Sequence, residues 1–248
     1  MTNNKVALVT GSSRGIGRAT AYELAKRGYD VIINYRKNKK PAEDLIRRIN
    51  ADFDVKTALF CADVSKESDI KLMVDEIKKD FGRIDVLVNN AGIDLPCEYK
   101  DKTVENFLKI IGVNLIGPFL VAKYVAPLML EQKSGKIINV SSNNATKGYD
   151  PTTADYDASK AALDNLTKNM AIEYAPFVNV NAVAPGWVDT DMNKEIFADE
   201  EIKKFECERI LKKRFAEPEE IAKLIAFLAS DDADYINGTV ITIDGGMR

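Results

Sequence analysis

The sequence predicts a doubly wound α/β sheet of about seven parallel strands with helices on both faces, and three observations carry that prediction. Short runs rich in Val and Ile recur along the chain, apolar on both faces as strands sandwiched between helices must be. Amphipathic stretches with helix punctuation alternate with these runs, and repeated strand–helix–strand order winds a parallel sheet. No internal repeat, low-complexity tract or Pro/Gly-rich linker interrupts the alternation, so residues 1–248, with 46% hydrophobic content, read as one domain around a sizeable core.

The expected strands are KVALV from Lys5, DVIINY from Asp30, KTALF from Lys56, IDVLV from Ile84, KIINV from Lys136, VNVNAV from Val178 and TVITI from Thr239. The first helix should run from about Gly15 to Arg27 and stop at Gly28, where glycine can adopt the left-handed cap conformation. A second should begin near Ser65 or Glu67 and end before Gly82. Thr103 to Glu131 reads as a long helix with a kink at Gly117-Pro118. Pro218 suits the first turn of the helix carrying EEIAKLIAFLAS, because its missing N–H costs nothing there.

Charge and cysteine content exclude several classes. The net charge of -3 comes from 35 basic and 38 acidic residues spread throughout, too balanced for a nucleic-acid or anionic-membrane partner. Cys61, Cys97 and Cys207 form neither a disulfide framework nor a zinc-ligand pattern, so no metal is expected. There is no basic segment followed by a long apolar run, and no apolar run of roughly 20 residues. The expectation is a soluble protein of a reducing, cytoplasmic compartment.

Ligands of doubly wound sheets sit beyond the carboxyl ends of the strands. There the first strand runs into TGSSRGIG, with Gly11, Gly15 and Gly17. Glycines between a strand and a helix let the backbone approach a pyrophosphate, and the helix N-terminus supplies free N–H groups. The spacing differs from the usual G-x-G-x-x-G, so the turn alone is a moderate signal. LVNNAG follows the fourth strand, VSS ends the fifth and APGWVDTDM follows the sixth, each bringing small or amide-bearing residues to the same edge.

The chain has no histidine to move a proton near neutral pH. Tyr-x-x-x-Lys occurs three times, as Tyr22/Lys26, Tyr35/Lys39 and Tyr156/Lys160. The first two read as ordinary one-turn neighbours. Tyr156 lies a short loop beyond NVSS, at the expected ligand edge, where an adjacent ammonium would lower the phenol's pKa and suit it to acid/base work.

Taken together, Thr10–Gly17, Asp63-Val64, Asn89–Gly92, Asn114, Ser142, Tyr156–Lys160, Pro185-Gly186 and the closing YINGTVITIDGG resemble the short-chain dehydrogenase/reductase family over essentially the whole chain. The resemblance implies a Rossmann domain and hydride transfer between a nicotinamide cofactor and a carbonyl or secondary alcohol. It implies that Tyr156 exchanges the proton, Lys160 tunes the tyrosine and holds the ribose, Ser142 holds the substrate oxygen, and Asn114 anchors a proton-relaying water. Cofactor contacts are implied for Gly11, Ser13, Arg14, Gly15, Ile16 and Gly17 in the first turn. Asp63, Val64, Asn90, Ala91 and Gly92 follow from the third and fourth strands, and Pro185, Gly186, Val188 and Thr190 from the sixth. Aligning INVSS selects Ser142, whereas counting back from Tyr156 would select Asn143; Ser141 is the fallback.

The second strand ends in Asn34, Tyr35 and Arg36 without a carboxylate, and Arg14 projects from the glycine turn, so NADP(H) is expected over NAD(H). Within the family the chain is most similar to 3-oxoacyl-[acyl-carrier-protein] reductases, which implies an acyl-carrier-linked substrate and a homotetramer built on Thr103–Glu131 and Tyr156–Tyr174. Lys133 is a candidate carrier-docking cation. EYAPFVNV, after the catalytic helix, carries no basic residue, and a sugar, polyol or other small ketone is the alternative substrate. A non-catalytic dinucleotide sensor is the reading from another class, opposed by the presence of both Tyr156 and Lys160. Residues 188–215, which include a charged run from Lys194, should form the substrate lid. Cys97 reads as a mouth residue or an inert thiol, and Trp187 as a ligand contact or a core residue.

Overall fold

In the computed structural model, which describes residues 4–148, 150–194 and 198–248, seven parallel strands form one sheet. They are β1 (Val6–Val9), β2 (Asp30–Tyr35), β3 (Thr57–Cys61), β4 (Val86–Asn89), β5 (Gly135–Val140), β6 (Val178–Pro185) and β7 (Val240–Ile243). Their spatial order is β3-β2-β1-β4-β5-β6-β7, so the chain winds outward from β1, then crosses back to start again at β4. All seven match the Val/Ile runs, because strands buried on both faces are apolar throughout.

The strand pleat divides the core in two. Val6 and Leu8 face one layer with Ile70, Ile77, Val121 and Met129, while Ala7 and Val9 face the other with Leu24, Leu45, Ile49 and Ile225. The first layer is built by α3 (Glu67–Phe81) and α5 (Gly117–Gln132). The second is built by α1 (Gly15–Lys26), α2 (Lys40–Asp52) and α8 (Pro218–Leu228). Among the described residues the further α-helices are α4 (Val104–Ile111), α6 (Ala154–Glu173) and α7 (Glu200–Arg209).

Local chemistry sets the helix ends. Gly82 ends α3 at φ 73°, and the Thr103 side chain caps α4 by accepting the Asn106 N–H. Pro218 opens α8 behind a capping box between Glu217 and Glu220. α2 has no counterpart among the expected helices, although Ala42, Leu45 and Ile49 form a helical apolar stripe, all fully buried.

Between α4 and α5 the helix widens into a π turn at Gly112–Ile116. The expected break at Gly117-Pro118 therefore lies just before that pair. Pro118 has no N–H to give the Asn114 carbonyl, and the Gly117 N–H reaches back to Gly112 O instead. Val104–Gln132 as a whole is long and apolar enough to span a bilayer by length and composition alone, but Glu105, Lys109 and Lys123 interrupt it, and Val121, Val125 and Met129 are fully buried against the sheet.

A buried polar ladder fastens the sheet to α6. Asn89 Nδ2 donates to Asn139 Oδ1 at 2.9 Å, and Asn139 Nδ2 donates to Thr167 Oγ1 at 2.9 Å. Thr167 Oγ1 donates onward to Leu163 O at 2.8 Å. Asn139→Ala removes the middle rung and leaves the Asn89 amide only its long 3.4 Å bond to Pro118 O, so unfolding stability should drop by about 2 kcal/mol in urea titrations. A loss below about 0.5 kcal/mol, the range of an ordinary surface change, would show that the ladder contributes nothing.

Candidate active site

The reversal between β1 and β4 opens a crevice, and the β1–α1 turn lines it. Gly11 has φ +61° and lies so close to the β4 loop that a Cβ would stand 2.9 Å from Ala91 Cα. A Cβ on Gly17 would stand 2.4 Å from Asn90 Nδ2, so this glycine packs the helix against the loop rather than facing the cavity. Thr10 Oγ1 accepts the N–H groups of Asn90 and Ala91, and Asn90 Nδ2 donates to Thr10 O at 2.9 Å. Asn34 adds a second tie, accepting the Gly11 N–H on Oδ1 at 3.1 Å and donating to Ala62 O at 3.1 Å. The sequence reading noted Asn34 only as a non-acidic strand end. Its side chain holds the glycine turn to the β2 and β3 ends.

A cavity of about 980 Å³ runs along these strand ends, ample for a dinucleotide with a substrate beside it. Among the residues singled out from the sequence, Gly11, Ser13, Arg14, Gly15 and Ile16 line one end. Arg36, Asp63 and Val64 lie beside them, then Asn90, Ala91 and Gly92. Pro185, Gly186, Val188 and Thr190 form the facing wall, and Ser142, Tyr156 and Lys160 close the far end. Gly17 and Asn114 do not line it.

The cradle fits a dinucleotide. The first bond of α1 joins Arg18 N–H to Arg14 O at 3.1 Å, leaving the Gly15, Ile16 and Gly17 amides without an intrahelical acceptor. Arg14 and Arg36 add two guanidiniums, and Arg36 Nη1 stands 3.8 Å from Asp63 Oδ2. Asp63 is fixed by Ser65, whose N–H and hydroxyl both donate to Oδ1.

At the far end, α6 holds Tyr156 and Lys160 one turn apart. Lys160 Nζ donates to Val140 O at 2.7 Å and lies 5.6 Å from the centre of the Tyr156 ring. Burial lowers the ammonium to about 8, against the opposing pull of Asp164 and Asp94. Burial also pushes the Tyr156 phenol up, opposed by a hydrogen bond with Ser142. This differs from the expectation that the lysine lowers the phenol: desolvation outweighs it, and the ammonium is directed at a strand carbonyl.

The serine alternatives separate by geometry. Ser141, Ser142 and Asn143 all line the cavity, and of the three it is Ser142 that hydrogen-bonds Tyr156. Asn143 is buried with its amide toward Met247 Sδ, while the buried Ser141 hydroxyl donates to Lys160 O. Asn114, inside the π turn, brackets Ile93: Oδ1 accepts its N–H and Nδ2 donates to its carbonyl, both at 2.9 Å. Nδ2 also donates to Ser159 Oγ, and a Cβ placed on Gly92 would meet both Asn114 Oδ1 and Lys160 Nζ.

Asp94, one residue past that bracket, also lines the cavity, and its acidic position in NNAGID was the available signal. Burial pushes its carboxyl up to about 6, opposed by the Leu95 N–H and Lys102. Of the lid, α7 hangs over the cavity with Ile202 and Phe205 in the lining. Trp187 Nε1 donates to Glu206 Oε2 at 2.9 Å and meets Phe215 edge-on at 6.3 Å, so the tryptophan joins the strand-end loop to the lid. Residues 195–197 of the expected lid lie outside the described residues. Cys97 is tied through its N–H to Thr152 O and stays off the cavity wall. Tyr22 donates to Asp52 on the surface, and Tyr35 is buried at the end of β2.

The comparisons agree with this architecture. A family model described as enoyl-(acyl carrier protein) reductase matches residues 11–248. The chain is 43% identical over 245 residues to the 3-oxoacyl-[acyl-carrier-protein] reductase FabG of Staphylococcus epidermidis, covering 98% of this chain and 99% of that one. It is 39% identical over 246 residues to 3beta-hydroxysteroid dehydrogenase 1 of Eggerthella lenta, covering 98% and 93%. A gluconate 5-dehydrogenase from Burkholderia cenocepacia J2315, solved with NADP and tartrate, superposes with a TM-score of 0.91 at 35% identity, covering 99% and 95%. With the seven-stranded sheet, the dinucleotide cradle and these full-length likenesses in view, the chain belongs to the short-chain dehydrogenase/reductase family of oxidoreductases.

Proposed function

We propose that this enzyme reduces the 3-oxo group of an acyl thioester held on a carrier, using NADPH. The observation that carries the reading is the placement of Tyr156, Lys160 and Ser142 at one end of a dinucleotide cradle, in a chain similar along its whole length to a 3-oxoacyl-[acyl-carrier-protein] reductase. The nicotinamide supplies the hydride when bound. Ser142 donates a hydrogen bond to the ketone oxygen, which gathers negative charge, and Tyr156 gives that oxygen its proton. Lys160 holds the ribose side of the cofactor and returns a proton toward Tyr156. Asn114 positions this end by bracketing Ile93 through its side chain, and its carbonyl, which receives no N–H from Pro118, is the group that would anchor the proton-relaying water. A sugar or polyol ketone is the second reading, favoured by the acidic Asp94 in the cavity wall.

Exposed Val104, Leu108 and Phe119 on α4–α5, with Ile172 on α6, leave an apolar face on the helices expected to build a tetramer. A homotetramer in the cytoplasm is part of the proposal. Lys133 ends α5 at the amino edge of the sheet, and the six residues of β5, about 20 Å of strand, separate it from the Ser142 end. Within one chain it does not stand at this cavity's rim.

Acetoacetyl thioester reduction, followed by NADPH absorbance, tests the activity. Tyr156→Phe should lower kcat by roughly 10²–10⁴-fold while NADPH still binds, since only the proton donor is removed. Near-normal kcat would overturn the assignment, and Tyr22→Phe should behave like the parent enzyme.

Because the Lys160 ammonium titrates near 8, reduction should decline as pH rises through about 8 and the charge is lost. In Lys160→Met that limb should be absent from the residual activity, with cofactor affinity also reduced. An unchanged limb would assign it to another group.

Cofactor choice should follow the guanidiniums. Each charge-assisted hydrogen bond to a 2′-phosphate is worth roughly tenfold to hundredfold in preference for NADPH over NADH. Arg36→Ala should lose at least about tenfold of that preference through NADPH affinity alone. Tyr35 is a poor site for an engineered acid because its side chain is buried. Equal use of both cofactors by the parent enzyme would sink the inference.

A further inference from the structure

Asp94 has no direct role in the proton path just described, yet its surroundings are unusual for a carboxylate. It lines the cavity that holds Tyr156 and Lys160, and its charge bears on both of them. The backbone before it is held from both sides by Asn114, which fixes where the carboxyl can lie. Its Oδ1 is closed off from solvent and has no hydrogen-bond partner among the described residues, and rotation about the soft terminal torsion of the carboxyl would bring it to the cavity. The carboxyl also accepts the Leu95 N–H.

The two cations whose charge bears on it are both directed elsewhere. Lys160 Nζ donates to Val140 O at 2.7 Å, and Lys102 Nζ is engaged by Asp155 Oδ1 at 2.6 Å, with the Lys102 and Asp155 side chains buried. Asp155 and Asp157 add negative charge from the first turn of α6, and Asp157 is occupied by Asn144 and Thr153. A buried acceptor without a donor is expensive, and a ligand that supplies an O–H or N–H recovers that loss. A ligand that brings a second carboxylate adds repulsion in a poorly solvated site.

We propose that Asp94 is the specificity-determining residue of the substrate end: it accepts a hydrogen bond from a hydroxyl or amide N–H carried near the reacting ketone and turns away free keto acids. The inference rests on carbonyl reduction at Tyr156 and not on which carbonyl compound is physiological. The amide N–H of a pantetheine-type thioester and the hydroxyl of a hydroxyketone offer the same donor chemistry. A free 3-oxo acid offers only its charge. With a carboxyl that titrates near 6, Asp94 is mostly ionised at neutral pH and is therefore an acceptor rather than a donor.

The test compares three small ketones on protein saturated with oxidised cofactor, where no turnover intervenes. Dissociation constants are measured by ligand-observed NMR for hydroxybutanone, with its terminal hydroxyl, for 2-pentanone, and for acetoacetate. The parent protein should bind the hydroxyketone roughly tenfold tighter than the plain ketone, and acetoacetate weakest of the three. Asp94→Leu should abolish the hydroxyl's advantage. Asp94→Asn should keep much of that advantage while tightening acetoacetate by about tenfold relative to 2-pentanone.

Equal binding of hydroxyketone and plain ketone by the parent protein would overturn the proposal. So would an Asp94→Asn variant with an unchanged acetoacetate-to-pentanone ratio, or failure of all three ketones to bind. Thioester analogues with and without the pantetheine-like amide, measured in the same way, separate the two donor sources. If the ranking holds while acetoacetyl thioester is not reduced, the thioester reading falls and the role of Asp94 stands.

Discussion

The side chains joining Thr10 to Asn90 set the shape on which the rest of this enzyme depends. A parallel sheet whose order reverses between β1 and β4 necessarily sends the following segments in opposite directions, opening a crevice at that point. An open crevice is not yet a binding site. Thr10 accepts two backbone N–H groups from the β4 loop and Asn90 returns an amide to the Thr10 carbonyl, closing the base of the crevice with satisfied polar groups. Only glycine at 11 and 17 allows the two segments to come that near, since a Cβ at either would collide with the opposite loop. The glycines therefore serve the closeness of protein to protein as much as the closeness of protein to phosphate.

The same economy of position holds at the reactive end. Pro118 lacks the N–H that would complete an α-helical turn, so the chain widens into a π turn, and Asn114 occupies that turn. From there its amide saturates both polar groups of Ile93 and reaches Ser159 on α6. One side chain thus joins the loop after β4, the long helix and the helix carrying Tyr156 and Lys160. Burial then governs protonation: it raises the phenol and lowers the ammonium, bringing Lys160 to about 8 and within reach of neutral chemistry. In a chain without histidine, burial brings Lys160 down to about 8 and Asp94 up to about 6, on either side of neutrality.

Much of this was legible in the sequence, for identifiable reasons. The seven strands are readable because a strand buried on both faces leaves an uninterrupted apolar run, and DVIINY coincides with β2 residue for residue. The ligand edge is readable because Gly11, Ser142 and Pro185 all fall at strand carboxyl ends. What stayed hidden depends on tertiary partners. Nothing local to Asn34 says that its side chain will hold the glycine turn, and nothing local to Lys160 says that its ammonium will meet the Val140 carbonyl instead of shifting the phenol. The π turn was nearly legible: Gly117-Pro118 gave the break, but whether a helix kinks or widens is settled by the packing around it. Asp94 was visible as a letter and silent as chemistry until a buried oxygen without a donor gave it meaning.

The cavity carries unlike charge along its length. Arg14, Arg36 and Lys37 stand at the glycine-turn end with the α1 amides, beside Asp63 and Asp191, whereas Asp94 and Asp150 stand at the Tyr156 end. A dinucleotide phosphate is drawn to the first end by charge and by helix geometry, and is repelled at the second. Lys160 is the cation placed among those carboxyls, and Asp164 and Asp94 raise its affinity for a proton while burial lowers it. Neutralising Asp94 would remove one of the two forces that keep Lys160 charged. The carboxyl proposed to screen substrates therefore also bears on the lysine proposed to serve the proton path, and a change at Asp94 is felt at Lys160.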